Sequence, residues 1–524
     1  MELTLSPRAR LGACAASGAL MACATPPMNV YPMAWLGMVA LYWLLDDGPL
    51  PGKPKLRDGL RGLLRVFVFA VGTNLVALRF ASVVVTRFAT LPSFVGPIAL
   101  LILAAFEATR WLSVALANTW LPRFGVPRVL AFAIGVYAGT FVATMIPWTV
   151  ACGVCPWPAT VQIAELVGER GVAFLMAIEA ALVSEGLRLA LERKRAVRPL
   201  ATAGALVAGT LVYGAVRIHQ IDALRAAAPT ASIAIIEPAV EATERWEAAE
   251  AHSILVRLTG LTLRAEQGGA ELVIWPEDAY PYDIPHVTRR SPAGREAVLQ
   301  PGVRGPVLVG LIMSGATGRY NSAVLATRDG KLGDPYDKMH LMWFGEMVPF
   351  EDDIPWLREA FSRGIGLRAG DHQMAMVAGG VRMAVLNCLE DILPSAGREA
   401  IATAPNLLVN ITNDAWFAGT AESEYHLLLA RLRSVELRRD LVRAVNLGPT
   451  TWVDAAGRVL ARIPVDQPGV LMTRPALLDA PMTPFARWAE WPLSLALAGY
   501  VLARGIARRD SPSRLIGKSP QKAS

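Results

Sequence analysis

The sequence is short of charged residues and of cysteine for a chain of 524 residues. Asp, Glu, Lys and Arg make up only 18% of it, against 53% hydrophobic residues, and its mean hydropathy is +0.37. This balance argues against a soluble protein. The five cysteines are too few and too scattered for a secreted domain held together by disulfides.

Motifs that identify several other enzyme classes are also missing. The six histidines form no paired ligand motif, which argues against a metal hydrolase. The sequence contains no Gly-x-Ser-x-Gly elbow and no phosphate-binding loop. The one Cys-x-x-Cys pair, Cys152 and Cys155, is not followed by a second pair, so we expect no redox or metal role for it. We therefore expect neither a metal nor a cofactor.

Apolar residues are concentrated in the first 217 residues and in one segment near the C-terminus. The stretches approach the twenty residues that a helix needs to cross a hydrocarbon core of about 30 Å. We predict eight membrane spans, at residues 10–25, 28–45, 64–83, 93–116, 128–147, 171–190, 199–217 and 487–505.

Basic residues lie in every second connection between these spans. Four of residues 193–198 are Lys or Arg, whereas the loop at 149–170 holds only Arg170. The positive-inside rule then places both termini in the cytoplasm and the large segment after the seventh span outside. In a bacterium with an inner membrane, this segment would face the periplasm. The basic loops also explain much of the net charge of +7, so we expect no nucleic-acid partner.

Between the last two spans, strand-like and helix-like patterns alternate. Such alternation predicts a layered α/β domain at 228–480, after a membrane domain at 1–220 and before a span at 485–507 and a basic cytoplasmic tail at 508–524. Helical patterns cover 246–265 and 422–439. Short apolar runs, typical of strands buried on both faces, occur at 231–237, 271–275, 307–313, 381–386 and 406–411.

Three predicted strands are followed by side chains that can react. They are Glu277, Lys338 and Cys388. A base, a cation and a thiol are the set needed for acyl transfer through a thioester. We expect the ammonium to favour the reactive thiolate and the carboxylate to shuttle its proton. Each of these residues taken alone also has a simpler interpretation. A cysteine after an apolar strand, for example, is usually a small core residue.

The sequence segments around these residues resemble the nitrilase superfamily and, within it, the apolipoprotein N-acyltransferase branch. Glu277 lies in WPE, Lys338 in DKMHLMWFGEMVPF and Cys388 in NCLED. LLVNITNDAWF at 407–417, RAVN at 443–446 and TPFARWAEWP at 483–492 are similar to the same branch. The resemblance covers nearly the whole chain and implies an αββα sandwich joined to about eight spans.

The resemblance also implies roles for individual residues. Glu277 would be the general base, Lys338 would stabilise the oxyanion and Cys388 would be the nucleophile. Glu346 and Glu390 match supporting carboxylates. The branch usually has an aromatic residue directly after the cysteine, where this chain has Leu389, which concerns the packing of the acyl chain. Residues implied to line the site are Trp246, Asn321, Pro349, Leu389 and Trp416.

The activity implied by the resemblance has two stages. Cys388 would take an acyl group from a phospholipid, and the N-terminal amine of a diacylglyceryl-cysteine apolipoprotein would then take it from the thioester. Both substrates are held in the bilayer by alkyl chains, at about 0.8 kcal/mol per buried methylene. The enzyme would therefore be a monomer in the bacterial inner membrane, with its catalytic domain in the periplasm.

Two other functions fit the same three residues. In a membrane-anchored amidase of the same superfamily, water would resolve the thioester; eight spans are more than an anchor needs, which favours lipid substrates. In a non-catalytic envelope protein with this fold, the three reactive residues would have no reason to be intact.

Overall fold

The computed structural model describes residues 5–46, 56–88, 92–343, 345–348, 353–354 and 366–509. Up to Ala227 the regular structure in these ranges is helical. The first helix begins after the N-cap residue Ser6, whose hydroxyl accepts a hydrogen bond from the Ala9 N–H. Pro7 is the first residue of the helix. The helices are α1 (Pro7–Ala22), α2 (Met33–Leu44), α3 (Leu56–Ala77), α4 (Phe80–Phe88), α5 (Val95–Ala108), α6 (Leu112–Trp120), α7 (Arg128–Gly139), α8 (Pro158–Val161), α9 (Ala164–Leu191) and α10 (Val197–Ala227).

Three helical segments in the described residues are long and apolar enough to cross a membrane: Gly59–Ala77, Val95–Phe124 and Val197–Ala227. Met33–Leu44 and Arg128–Gly139 are shorter apolar helices. Large apolar side chains on α10 point outward, among them Val212 at 64% exposure. Exposed apolar surface along a whole helix is typical of contact with lipid.

Small residues allow the first helices to pack closely. Gly18 of α1 lies against the backbone oxygen of Phe69 in α3, and Gly72 of α3 lies against the backbone oxygen of Ala15 in α1. A Cβ at either glycine would overlap with the partner backbone. Close approach through small residues is the usual way for membrane helices to associate.

The following part of the chain forms two β-sheets. The first has the strand order β13-β1-β2-β4-β5-β6 with β3 beside β4, and the second has the order β12-β11-β10-β9-β8-β7. Their bounds are β1 (Ile233–Glu237), β2 (Leu272–Ile274), β3 (Ile284–Pro285), β4 (Val307–Gly315), β5 (Gly318–Ala326), β6 (Tyr336–Asp337), β7 (Ala375–Ala378), β8 (Val381–Asn387), β9 (Leu407–Asn413), β10 (Leu441–Asn446), β11 (Thr451–Val453), β12 (Val459–Arg462) and β13 (Gly469–Thr473).

The two sheets pack face to face, with helices on their outer faces. Ile235 and Leu308 of the first sheet share one core with Val385 and Val409 of the second. Helix α12 (Ala251–Gln267) covers the outer face of the first sheet. Helices α13 (Pro394–Ala402) and α14 (Glu422–Leu437) cover the outer face of the second. The helices of this part are α11 (Ala242–Trp246), α12 (Ala251–Gln267), α13 (Pro394–Ala402), α14 (Glu422–Leu437), α15 (Pro484–Trp488) and α16 (Trp491–Arg509).

Helix α14 lies at the junction between the sandwich and the membrane helices. All its residues from Tyr425 to Leu437 are buried. On the membrane side, Arg433 Nη2 lies 2.8 Å from Glu169 Oε2 of α9. Helix α9 is kinked at Gly168, where φ is +67°, and the Glu169 N–H donates to Glu436 Oε1 at 2.7 Å. The helical and the sandwich parts are therefore joined by buried ionic contacts.

Candidate active site

The predicted reactive residues follow strand ends at one end of the sandwich. Glu277 comes three residues after β2, Lys338 directly after β6 and Cys388 directly after β8. Strands β2 and β6 belong to the first sheet and β8 to the second, so both sheets contribute to the site. The Glu277 and Lys338 side chains are buried and in contact.

Both carboxylate oxygens of Glu277 accept hydrogen bonds. Oε1 accepts from Lys338 Nζ at 3.1 Å and from Asn321 Nδ2 at 2.7 Å, and Oε2 accepts from the Asn413 N–H at 2.9 Å. Burial raises the pKa of Glu277; Lys338 opposes this effect and the charge of Glu346 adds to it. A carboxylate held in this way is oriented and is more basic than one in water.

Lys338 is the cation at the centre of the site, with only 1% of its side chain exposed. Its Nζ donates to Glu346 Oε1 at 2.9 Å as well as to Glu277. Burial lowers the pKa of Lys338, but Cys388 in its thiolate form and the carboxylates Glu277 and Glu346 outweigh burial and raise the pKa well above its usual value. The amine therefore stays an ammonium ion, as a group that stabilises an oxyanion must.

Cys388 begins a tight turn, the 3-10 helix Cys388–Ile392, and its φ is +53°. A residue with a Cβ adopts this conformation only when the surroundings enforce it. Glu390 provides part of that restraint by accepting from the Asn387, Met339 and His340 N–H groups and from the Tyr336 hydroxyl, at 2.7–3.1 Å. It thereby ties the turn of the thiol to the segment of the lysine.

The pKa of the Cys388 thiol depends on more groups than the ammonium, which favours the thiolate as the sequence predicts. Burial and then the charge of Glu277 raise the pKa well above its usual value, and Lys338 only partly offsets them. The free site holds a thiol, because two carboxylates outnumber one ammonium around the sulfur. Nucleophilic attack therefore requires a base, and Glu277 is the buried carboxylate whose charge acts most strongly on the thiol.

Asn321 links the other groups of the site. Its Nδ2 donates to Glu277 Oε1 and to Glu346 Oε1, and its Oδ1 accepts from Asn387 Nδ2 at 2.9 Å. The sequence analysis placed Asn321 in the lining of the site, and the structure brings it into direct contact with two of the carboxylates.

The remaining predicted lining residues differ in their positions. Trp246 is the last residue of α11, and Trp416 lies half-buried in the 3-10 turn Ala415–Phe417. Leu389 packs against the apolar cluster of the membrane helices. Pro349 lies outside the described residues.

Several polar residues beneath the nucleophile were not predicted from the sequence to belong to the site. Asn410 Nδ2 donates to the backbone oxygen of Cys388 at 3.1 Å. Asp391 accepts from His426 Nε2 at 2.7 Å and from Arg443 Nε at 2.9 Å. Asp391 follows the nucleophile by three residues in NCLED, so acidity near a candidate cysteine was the available signal. The partners come from distant strands and helices. Asn410 and Arg443 lie in the segments LLVNITNDAWF and RAVN, but nothing in those segments indicates that they contact the Cys388 turn.

One group of side chains in the described residues has the composition of a metal site. Ligand atoms of Asp414, Glu422 and His426 lie within 4.8 Å of one another. His426 is already engaged by Asp391 through Nε2. Although burial lowers the pKa of His426, Asp391 raises it to about 10, so the ring is an imidazolium that repels a cation.

The arrangement as a whole can carry out nucleophilic catalysis on a carbonyl group. A buried base can take the thiol proton, and a fixed ammonium can stabilise the negative charge that develops on the carbonyl oxygen. The described residues provide all three groups from one chain.

Comparison with known proteins gives matches to both halves of the chain. The profile of the apolipoprotein N-acyltransferase N-terminal domain matches residues 17–182, and the carbon-nitrogen hydrolase profile matches residues 225–477. An apolipoprotein N-acyltransferase of Allorhizobium ampelinum is 29% identical over 497 residues, covering 89% of this chain and 90% of the relative. One of Azotobacter vinelandii is 29% identical over 521 residues and covers 96% of each chain.

Among solved structures, an amidase from Nesterenkonia sp. is 20% identical, covering 51% of this chain and 95% of its own, with a TM-score of 0.36.

Proposed function

Because the chain belongs to the apolipoprotein N-acyltransferases of the nitrilase superfamily, we propose that it transfers a fatty acyl group from a phospholipid to the N-terminal amine of diacylglyceryl-cysteine lipoproteins. The acyl group is carried as a thioester on Cys388. The observation that carries this proposal is the contact of buried Lys338 with Glu277 and Glu346, whose charges all act on the thiol.

In the first step, Cys388 acts as the nucleophile. Glu277 takes the thiol proton while Sγ attacks the carbonyl carbon of the acyl ester, and Lys338 stabilises the resulting oxyanion. The carbon–oxygen bond to the glycerol then breaks. The leaving oxygen takes the proton from Glu277, which gives an S-acyl enzyme and a lysophospholipid.

In the second step, the neutral amine of the lipoprotein attacks the thioester. Glu277 takes one amine proton, and Lys338 again stabilises the oxyanion. The carbon–sulfur bond breaks and the proton returns to Cys388, which leaves an amide and the free enzyme. Glu346 and Glu390 support this chemistry by holding Lys338 and the Cys388 turn, and Asn321, Leu389 and Trp416 line the substrate site. The family resemblance implies the same role for Trp246 and Pro349.

The membrane part of the proposal is that eight helices cross the bacterial inner membrane. Seven precede residue 220, and the eighth, at 485–507, leads to a cytoplasmic tail at 508–524. The catalytic domain at 228–480 then faces the periplasm. Three long apolar helices and the basic residues in alternate connections support this topology. We also propose that the enzyme acts as a monomer.

The experiment that tests the proposal is intact-mass analysis of protein incubated with phospholipid. We expect an acyl adduct on the wild type, no adduct and no transfer with Cys388→Ala, and at most a trace with Cys388→Ser, because an alkoxide forms far less readily than a thiolate. Cys152→Ser is the matched control and should keep its activity. Lipoprotein acylation by Cys388→Ala would refute the mechanism, and release of free fatty acid with a lipoprotein acceptor present would favour a hydrolase.

A further inference from the structure

The turn that carries Cys388 rests on a buried ionic cluster that the reaction itself does not use. Asp391 is the fourth residue of this turn and is fully buried. Its Oδ1 accepts from His426 Nε2 at 2.7 Å, and its Oδ2 accepts from Arg443 Nε at 2.9 Å. His426 and Arg443 are 5% and 0% exposed. Both oxygens of one carboxylate are therefore held by cations from two other elements.

The two cations come from the elements that cover the turn. His426 lies on α14, and Arg443 lies on β10, where it is in register with Asn410 of β9. Asn410 donates to the backbone oxygens of Leu386 and Cys388, at 3.0 and 3.1 Å. The sheet and the helix therefore fix the turn at its first residue and at its fourth.

Such a support is needed because the turn is strained. Cys388 has a φ of +53°, which a non-glycine residue leaves unless other contacts hold it. Relaxation of this φ would move Sγ away from Glu277 and Lys338. A displacement of about 1 Å at a reacting group can lower the rate about 10²-fold.

We propose that His426 and Arg443 are positioning residues, which act through Asp391 to hold the Cys388 turn in its strained, reactive conformation. The proposal rests on the proposed function only in taking Cys388 as the nucleophile. Burying the three charged side chains of Asp391, His426 and Arg443 costs free energy that apolar side chains in the same place would not cost. A positioning role explains why charged residues are found there.

The test compares His426→Gln, Asp391→Asn and the double variant with the wild-type enzyme in membranes. We expect kcat for acyl transfer to fall about 10²-fold in each single variant, with KM for phospholipid nearly unchanged. The double variant should be no slower than Asp391→Asn, because both changes break the same contact. His286→Gln is the matched control, since His286 Nε2 also lies 2.7 Å from a carboxylate, that of Asp337, but on the other sheet.

A second measurement follows the thiol directly, as the rate of Cys388 alkylation by iodoacetamide over a range of pH. We expect the midpoint of this profile to fall toward that of a free cysteine in His426→Gln, because a displaced thiol escapes burial and the charge of Glu277. A variant that is only less stable would keep the wild-type midpoint in its folded fraction. This measurement does not depend on lipoprotein acylation, so a failure of the proposed function is seen separately, as missing transfer by the wild type.

Three results would overturn the inference. The first is a wild-type kcat and alkylation profile in His426→Gln. The second is a double variant slowed by the product of the two single effects. The third is a divalent cation bound by the wild type in equimolar amount and lost from His426→Gln, since Asp414, Glu422 and His426 would then be metal ligands.

Discussion

At the scale of single residues, the two carboxylates that bind Lys338 differ in their surroundings. Glu277 accepts three hydrogen bonds and its side chain is 7% exposed, whereas that of Glu346 is 13% exposed and lies in the loop after Lys338. Two carboxylates in different environments next to one nucleophile can have different roles.

We expect Glu277→Gln to remove nearly all S-acyl adduct within minutes, because general-base assistance contributes about 10² to 10⁴ in rate. Glu346→Gln should still accumulate adduct, because it retains the base. The measurement is a time course of Cys388 acylation with labelled phospholipid, first without acceptor and then with a diacylglyceryl peptide. Acylation at the wild-type rate in Glu277→Gln would show that another group deprotonates the thiol.

Glu277 and Cys388 could be predicted from the sequence because each follows an apolar strand within a short characteristic segment, whereas Lys338 follows the two-residue strand Tyr336–Asp337 and is identified by its segment alone. The support beneath them could not be predicted. Asp391, His426 and Arg443 meet only through the register of β9 with β10 and the packing of α14. The net rise in the pKa of Cys388 could not be predicted from the sequence either, since it depends on burial and on the sum of several charges rather than on the nearest cation.

At the scale of elements, α14 combines buried and exposed ion pairs. Arg438, directly after its last residue, lies 2.7 Å from Glu165 of α9, and these side chains are 4% and 5% exposed. Glu424 on the same helix pairs with Arg462 at 2.5 Å, with both side chains more than two-fifths exposed. Both pairs join an arginine to a glutamate and differ in burial. Comparing them therefore shows how burial changes the contribution of such a pair to stability.

We predict that Arg438→Met lowers the free energy of unfolding by about 1.5–3 kcal/mol, because it removes a buried charge-assisted hydrogen bond from Glu165, which keeps Arg217 as its other cation. Arg462→Met should cost only about 0–1 kcal/mol, because water solvates the remaining Glu424. Unfolding of the detergent-solubilised protein by heat or denaturant would measure both. Equal losses in the two variants would contradict the assignment of α14 as a buried ionic junction.

His426 gives α14 a dependence on pH. It faces Asp391, Asp414, Glu422 and Arg443. Burial lowers the pKa of His426, but Asp391 outweighs burial and raises it from 6.5 to about 10 in the folded protein, while burial raises the pKa of Glu422 to about 8. A raised pKa stabilises the fold fully below the unfolded value and ceases to do so as the pH rises through the folded value.

The stability difference between the wild type and His426→Gln should therefore be largest below pH 6.5 and should shrink as the pH rises through about 10. Unfolding midpoints of the two proteins at several pH values would measure it. A difference that grows with pH would mean that His426 is neutral in the folded protein.

Helices and strands were predicted best where the spacing of the apolar residues and the positions of the polar residues indicated the same element. The five apolar runs that predicted strands correspond to β1, β2, β4, β8 and β9, and the pattern at 422–439 corresponds to α14. Helix ends among the membrane segments were predicted less well. The apolar run at 128–147 predicted one span, but α7 ends at Gly139 and the residues after it form turns, with Trp148 packed beside Trp111. Apolarity alone does not show where a helix ends.

At the scale of the whole molecule, the proposed topology predicts the side of the membrane for each connection. A reporter fused after residue 218 should be exported, and one fused after residue 195 should remain in the cytoplasm, because the predicted span at 199–217 separates the two sites. Reporter activity in intact cells would measure both. Finding the two fusions on one side would refute the proposed crossing by α10.

The burial of α14 also bears on how the protein is broken down. A protease that cut the chain between α10 and β1 and again after β13 would remove the sandwich from its neighbours. The released fragment would expose Arg433 and Glu436, together with the apolar residues that pack against α9. Exposure of these charged and apolar side chains to water makes the released fragment less stable than the same residues within the intact protein. We therefore expect turnover of the protein to end the thiol chemistry at the membrane rather than to release a stable catalytic fragment.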